Sequence, residues 1–342
     1  MKTHKVLLAI SIAITAGISG CKSFQQTSEQ AMYRAPGKRL LDESVDVGIP
    51  ARLHWQYAWL SVASYNAIVD LPGEKEPLGS HTRAGPVSIE LDEKLVTCEA
   101  PEKELWKAGW KRISPIWPAP SDEIYSVLQR THTRVQVWEN RDQRILAISF
   151  GGTDGRIDWR SNLRWFIPES EDEYSIVAKR VSQDFVNEFK KRAQQPENAY
   201  LRNMKLHATG HSLGGGLAQQ FAYALPADPD GVVPRVSRVY AFDSSPVTGH
   251  GDVAETTLAA NVEGMQIDRI YERGEILAAA RAFTGLFLVP SSKNPSIRGV
   301  RYMFFWKSPI GAVSSHSMPR LACHLQHAKD RPIPPGQQFE ED

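Results

Sequence analysis

Ser212 stands between Gly210 and Gly214 in the stretch LHATGHSLGGGLAQQFAYAL, residues 206–225. The residues before it alternate like a strand, and those after it follow the period of an amphipathic helix. A serine hydroxyl is a poor nucleophile until a base takes its proton. A sharp strand-to-helix turn lifts Oγ clear of a sheet and aims the helix N-terminus at a developing oxyanion. Such a turn is cramped, so the positions two before and two after the serine must be small, as Gly210 and Gly214 are. The backbone N–H of Leu213 is then one oxyanion donor.

The elements that must hold this serine can be read from periodicity. Residues 134–138 alternate, residues 140–142 form a turn, and 144–150 follow as a nearly continuous apolar strand, the pattern of a strand buried on both faces. Val177, Val181, Phe185 and Phe189 recur every fourth residue, which predicts a helix over 175–194. Strands follow at 205–209, 237–242, 266–271 and 300–306, with helices over 215–224 and 317–327. Further helices are expected at 56–68, where Trp59, Val62, Ala63 and Asn66 share a face, and at 102–110 and 121–130. Residues 71–86 are rich in Pro and Gly and read as loop. Alternating strands and helices predict an α/β protein with a mostly parallel central sheet and helices on both faces.

Gly210-His-Ser-Leu-Gly-Gly215 resembles the nucleophile motif of the class 3 lipases, an α/β-hydrolase family. Phe150-Gly-Gly-Thr-Asp154, followed by Asp158-Trp159 and Asn162-Leu163, is similar to that family's oxyanion strand and loop, which reads F-R-G-T, then D-W and N-L. The likeness covers about residues 145–325; before that it rests on an Ala/Tyr-rich helix and Trp110. It implies an α/β-hydrolase with a Ser-His-acid triad acting on acyl esters. Thr153 would supply the second oxyanion donor, although a Gly-Gly turn needing positive φ would also explain Gly151 and Gly152.

In this fold the triad runs Ser, acid, His along the chain. Of ten histidines, His250, His316, His324 and His327 follow Ser212. His250 comes too early, and His324 and His327 lie within a helix, where packing or surface roles suffice. His316 sits in a loop before that helix, and His316-Ser-Met318 resembles the family's closing motif. For the acid, the family pattern places Glu275 at the Asp and Glu272 at an Asn three residues earlier. Asp243, which ends a strand in AFDSSP, is the alternative acid. Two departures stand out: Gly151 replaces an Arg, and Val181-Ser-Gln-Asp-Phe185 replaces V-H-x-G-F.

Lys2 and Lys5 precede an apolar run, residues 6–18, with the layout of a secretory signal. It ends Ile18-Ser19-Gly20-Cys21, which resembles a bacterial lipobox. By that resemblance residues 1–20 are a signal peptide, Cys21 is lipidated, and Lys22 in place of an Asp directs the protein to the outer membrane. Residues 21–45 are polar and read as a tether, 46–330 as the hydrolase domain, and 331–342 as a flexible tail. An export route would let Cys98 and Cys323 pair, although two separate thiols fit the sequence equally. The formal net charge of +1 leaves no basic stripe for nucleic acid. The chemistry needs no metal or other cofactor. Residues 278–290 form an apolar insertion suited to an acyl groove or a membrane, whereas Met303-Phe-Phe-Trp306 suits a core. The expected partners are an acyl-lipid or ester substrate and, through Cys21, a membrane. Two other activities fit the sequence: acyl transfer to an alcohol on the same triad, and a catalytically silent envelope-binding lipoprotein.

Overall fold

The structure is a computed structural model that describes residues 26–65, 85–91, 93–113, 128, 134–152, 173–245, 248–249, 251, 253–274, 291–305 and 316–336. Its strands are β1 (Gln30–Arg34), β2 (Glu43–Asp46), β3 (Val87–Leu91), β4 (Lys94–Cys98), β5 (Lys111–Arg112), β6 (Val135–Asn140), β7 (Ile145–Phe150), β8 (Lys205–His211), β9 (Val236–Phe242), β10 (Gln266–Glu272) and β11 (Ser296–Tyr302). The helices are α1 (Gly48–Ala63), α2 (Pro101–Lys107), α3 (Ser182–Ala193), α4 (Leu213–Ala224), α5 (Glu255–Val262) and α6 (Met318–Ala328). A helical turn, Glu173–Ile176, and a π-helical stretch, Val177–Val181, lead into α3.

Among the described residues, nine strands form one sheet in the order β2-β1-β11-β10-β9-β8-β7-β6-β5. Strands β7 to β11 are parallel and adjacent in chain order. Crossovers between parallel strands are right-handed. A run of them stepping one way across the sheet therefore puts α3, α4 and α5 on one face. The other face is covered by helices from outside that run: α1 before it and α6 after it.

The two faces are built differently. On the α3–α4 face, Phe150, Phe185, Phe189 and Phe221 pack with Leu206, Ala208 and Leu217, all essentially without exposure. Phe185 and Phe221 meet edge to face with centroids 5.3 Å apart. Removing one such ring would cost about 3–5 kcal/mol. The α1–α6 face carries buried polar groups. The Asp268 carboxylate takes two bonds from Arg298, at 2.5 and 2.7 Å, and a third contact from His54 Nε2 at 3.2 Å. Burial opposes its charge, but His54 and Arg298 outweigh that and hold the carboxyl well below the usual range. Tyr57 stacks on Tyr240 at 3.8 Å and its hydroxyl is 2.6 Å from His207 Nδ1. Burial and the nearby Arg238 and Lys205 charges lower His207 to about 3, so it is neutral there.

A disulfide joins Cys98, at the end of β4, to Cys323 in α6. It ties the β3–β4 hairpin to the helix that follows His316, and settles the question the sequence left open. His324 stacks on Phe304, centroids 4.8 Å apart, in the packing role its helical position suggests.

Several expectations need correction. The segment expected as a tether supplies β1 and β2, so from Gln26 onward it belongs to the sheet. Its polar residues misled because these short strands lie at the sheet's edge, where only Ala31 and Met32 of β1 are buried. Helix α1 begins at Gly48 rather than 56. The hairpin β3–β4 was not foreseen; its residues are mostly exposed and show no clean alternation. The last strand ends at Tyr302, after which Phe304 and Phe305 turn onto α6. The helix expected at 121–130 and the insertion 278–290 fall almost wholly outside the described residues.

Candidate active site

The parallel strands β7 to β11 bring the candidate residues to one edge of the sheet, the edge at which these strands end. Ser212 follows β8 directly and precedes α4, with φ +58° and ψ −123°. That left-handed φ is costly for any residue but glycine, and such strain concentrates at functional sites. The turn is held by the Ser212 N–H donating to the Phe242 carbonyl at 2.9 Å, and by the Gly215 and Ser245 N–H groups donating to the Ser212 carbonyl at 3.1 and 3.2 Å. The glycines are steric requirements. A Cβ on Gly210 would overlap the Gly214 carbonyl, and one on Gly214 would overlap the Phe150 carbonyl at the end of β7.

Leu213 opens α4, so its N–H is among the free donors at the helix N-terminus. The end of β7 lies against this turn: a Cβ on Gly152 would come within 2.8 Å of the His211 carbonyl. Thr153 follows immediately but lies outside the described residues, as do Cys21 and Glu275. Gly151, where the family likeness has Arg, faces Arg134. A Cβ at 151 would fall 2.9 Å from the Arg134 Cβ, and Arg134 donates to the Tyr65 carbonyl at 3.2 Å.

Asp243 follows β9 as Ser212 follows β8. It is fully buried, and it too has a left-handed φ, +39°. Its N–H donates to the Ile270 carbonyl at 2.7 Å, and its Oδ1 accepts from the Glu272 N–H at 3.0 Å. His316, just before α6, is buried beside it. A ring nitrogen of His211, a ring nitrogen of His316 and a carboxylate oxygen of Asp243 all lie within 4.8 Å of one another. The His211 and His316 rings are 4.4 Å apart, and His211 Nε2 is 4.0 Å from Asp243 Oδ2.

Glu272, the last residue of β10, lies next to this cluster. It is fully buried, and Oε1 accepts from the Phe305 N–H at 3.0 Å. Oε2 has no partner among the described residues. Burial pushes this carboxyl up to about 8, helped by the Asp243 charge and opposed by the Phe305 and Phe304 N–H groups. At neutral pH Glu272 is therefore mostly protonated.

Sequence reasoning did not single out His211 or Tyr65. The Tyr65 hydroxyl is 2.7 Å from His211 Nδ1, which leaves Nε2 turned toward Asp243. A signal for His211 was available, since it is the residue preceding the serine. Tyr65 lies beyond the end of α1, far away in sequence, and only the fold brings it here.

Residues 147–279 match the family described as lipase (class 3). The matched stretch holds Ser212 and Asp243 and ends before His316. Among solved structures, the native Rhizomucor miehei lipase propeptide complex is 18% identical, with 76% of this chain and 72% of that one covered, at a TM-score of 0.40. The lipase of Rhizopus microsporus var. chinensis is 16% identical, covering 63% and 76%, at 0.37. A triacylglycerol lipase whose catalytic centre is a serine protease triad is 18% identical, covering 65% and 71%, at 0.37. No curated protein matches the chain. The mostly parallel sheet, with Ser212 at a strand-to-helix turn and Asp243 at the end of the next strand, is an α/β-hydrolase fold.

Proposed function

We propose that the protein is a lipid-anchored serine hydrolase that cleaves acyl esters of membrane lipids. The observation that carries this reading is the convergence of Asp243 and His316 at the sheet edge where the strained Ser212 turn stands. In this mechanism His316 takes the Ser212 proton as Oγ attacks the ester carbonyl. The carbonyl oxygen gains negative charge in the tetrahedral intermediate and is held by the Leu213 N–H and a donor at Thr153. His316 then gives its proton to the departing alcohol, leaving an acyl-enzyme. Water, deprotonated by the same histidine, releases the fatty acid and restores Ser212. Asp243 orients His316 and stabilises its charged form. Glu275, which the family likeness put first, is the rival for that role.

Anchoring through a lipidated Cys21 rests on the lipobox-like ending of the apolar run. The Cys98–Cys323 disulfide supports export, since such bonds persist in oxidising compartments. Among the described residues no helix is long and apolar enough to cross a membrane. An outer-membrane location is proposed from Lys22 alone. The test is to label the purified protein with a fluorophosphonate and then assay it on a panel of phospholipids and acylglycerols, with and without an acceptor alcohol. Labelling of Ser212 with release of free fatty acid is expected. Failure to label sinks the reading in favour of a silent envelope protein, and acyl transfer to the alcohol would make the enzyme a transferase.

A further inference from the structure

The way the chain enters the sheet bears on which lipids it meets. Strand β1 runs antiparallel to β11, with Met32 opposite Arg301 and Arg34 opposite Gly299. The N-terminal end of β1 therefore lies at the C-terminal end of β11. That is the edge at which β8 delivers Ser212 and β9 delivers Asp243. The entry point is fixed there. Gln26 is buried, its Nε2 donates to the Arg301 and Gln30 carbonyls at 3.0 Å each, and Arg301 Nε donates to its Oε1 at 3.0 Å.

Only four residues lie between Cys21 and Gln26, five Cα–Cα steps in all. Fully extended they span at most about 18 Å. Gln26 is held at Arg301, so the start of β11 at Ser296 lies five residues away, about 17 Å. Only a tether stretched to its full length along the sheet would bring Cys21 to the edge where β8 to β11 begin, whereas the edge that holds Ser212 is the one at which the chain enters. Ser212 is four strand spacings from β1, about 19 Å across the same edge. We infer that the tether holds the catalytic edge against the leaflet in which the anchor sits, so that the substrates are lipids of that same leaflet. This rests on the Cys21 anchor and on Ser212 as nucleophile.

The test uses the full acylated chain in vesicles of phosphatidylethanolamine and phosphatidylglycerol. Hydrogen exchange, compared with the chain in detergent, should slow at 244–249, 273–274, 303–305 and 316–317 and stay unchanged at 141–144, 203–205 and 263–266. Slowing at the second set, or at neither, overturns the inference. Labelled lipid in the protein-bearing vesicles should be cleaved at least about tenfold faster than the same lipid in separate vesicles. A Gly/Ser insertion of about 30 residues after Phe24 should bring that ratio toward one and leave hydrolysis of a soluble nitrophenyl ester unchanged. An unchanged ratio would also overturn it. Incorporation of radiolabelled palmitate separates the failures. A chain that takes up none refutes the anchor and this inference together, whereas an acylated chain with the wrong protection pattern refutes the orientation alone.

Discussion

The ends of β8 and β9 are adjacent, and both force a non-glycine residue into left-handed backbone: Ser212 at φ +58° and Asp243 at φ +39°. Both are held by a backbone bond to the next strand, Ser212 N–H to Phe242 and Asp243 N–H to Ile270. They differ in what else surrounds the strained residue. At Ser212 helix, strand and turn meet within atomic contact, so Gly210 and Gly214 are required on either side. At Asp243 the further support is a hydrogen bond from the Glu272 N–H to its carboxylate. Close packing of that kind leaves a mark in the local sequence. A bond to a distant strand leaves none.

The largest expected effect breaks the first of these ends. Ser212→Ala should lower kcat/KM for a nitrophenyl ester by about 10⁴-fold or more, with an unchanged unfolding midpoint, since the role proposed for the side chain is that of nucleophile and it is not part of the core. His316→Ala should fall to a similar level, because residues acting as a unit do not lose activity additively. A well-folded Ser212→Ala protein with substantial activity would refute the site.

A structural effect comes next. The disulfide closes a loop of 225 residues and secures α6, the helix behind His316. Replacing Cys98 and Cys323 together by Ala should destabilise the protein by about 2–4 kcal/mol in urea unfolding. The remaining folded fraction should keep its kcat, because the histidine's partners are on other elements. A large drop in kcat without loss of stability would show that the bond positions His316 directly.

The smallest effect sharpens the contrast at the second end. Glu272 is neutral in the folded protein until about pH 8 but ionises near its ordinary value of 4.5 when unfolded. Its folded pKa is raised, so its contribution is fully present below the unfolded value and is lost as pH rises through about 8. Wild-type stability should therefore decline between pH 5 and pH 8.5, and Glu272→Gln should flatten that decline and be the more stable protein at pH 8.5. Parallel declines in the two proteins would mean that Glu272 is ionised in the folded state.

Much of the catalytic edge was legible because its signals are local. The serine turn needs Gly210 and Gly214, β7 reads as an apolar run, β8 to β10 fall where strands are expected, and His316 falls between a strand and a helix. The acid was less legible, since three carboxylates, Asp243, Glu272 and Glu275, sit near strand ends within one region of sequence. What separates the first two is that Asp243 lies within 4.8 Å of His211 and His316 across strands, a proximity that no local pattern records. The edge strands β1 and β2 were missed for the same reason: few of their residues are buried, so their pattern resembles a solvated linker. Tyr65 and the His54–Asp268–Arg298 cluster also exist only through long-range contacts.

The assignment of Asp243 to His316 is the central claim, and kcat/KM for a short-chain nitrophenyl ester measured on Asp243→Asn beside Glu275→Gln tests it most directly. Each variant should first show native circular dichroism. Loss of the carboxylate that stabilises the imidazolium should lower kcat/KM by about 10²–10⁴-fold in Asp243→Asn, with Glu275→Gln within a few-fold of wild type. Near-normal activity in Asp243→Asn together with a dead Glu275→Gln would contradict the assignment and give the triad to Glu275.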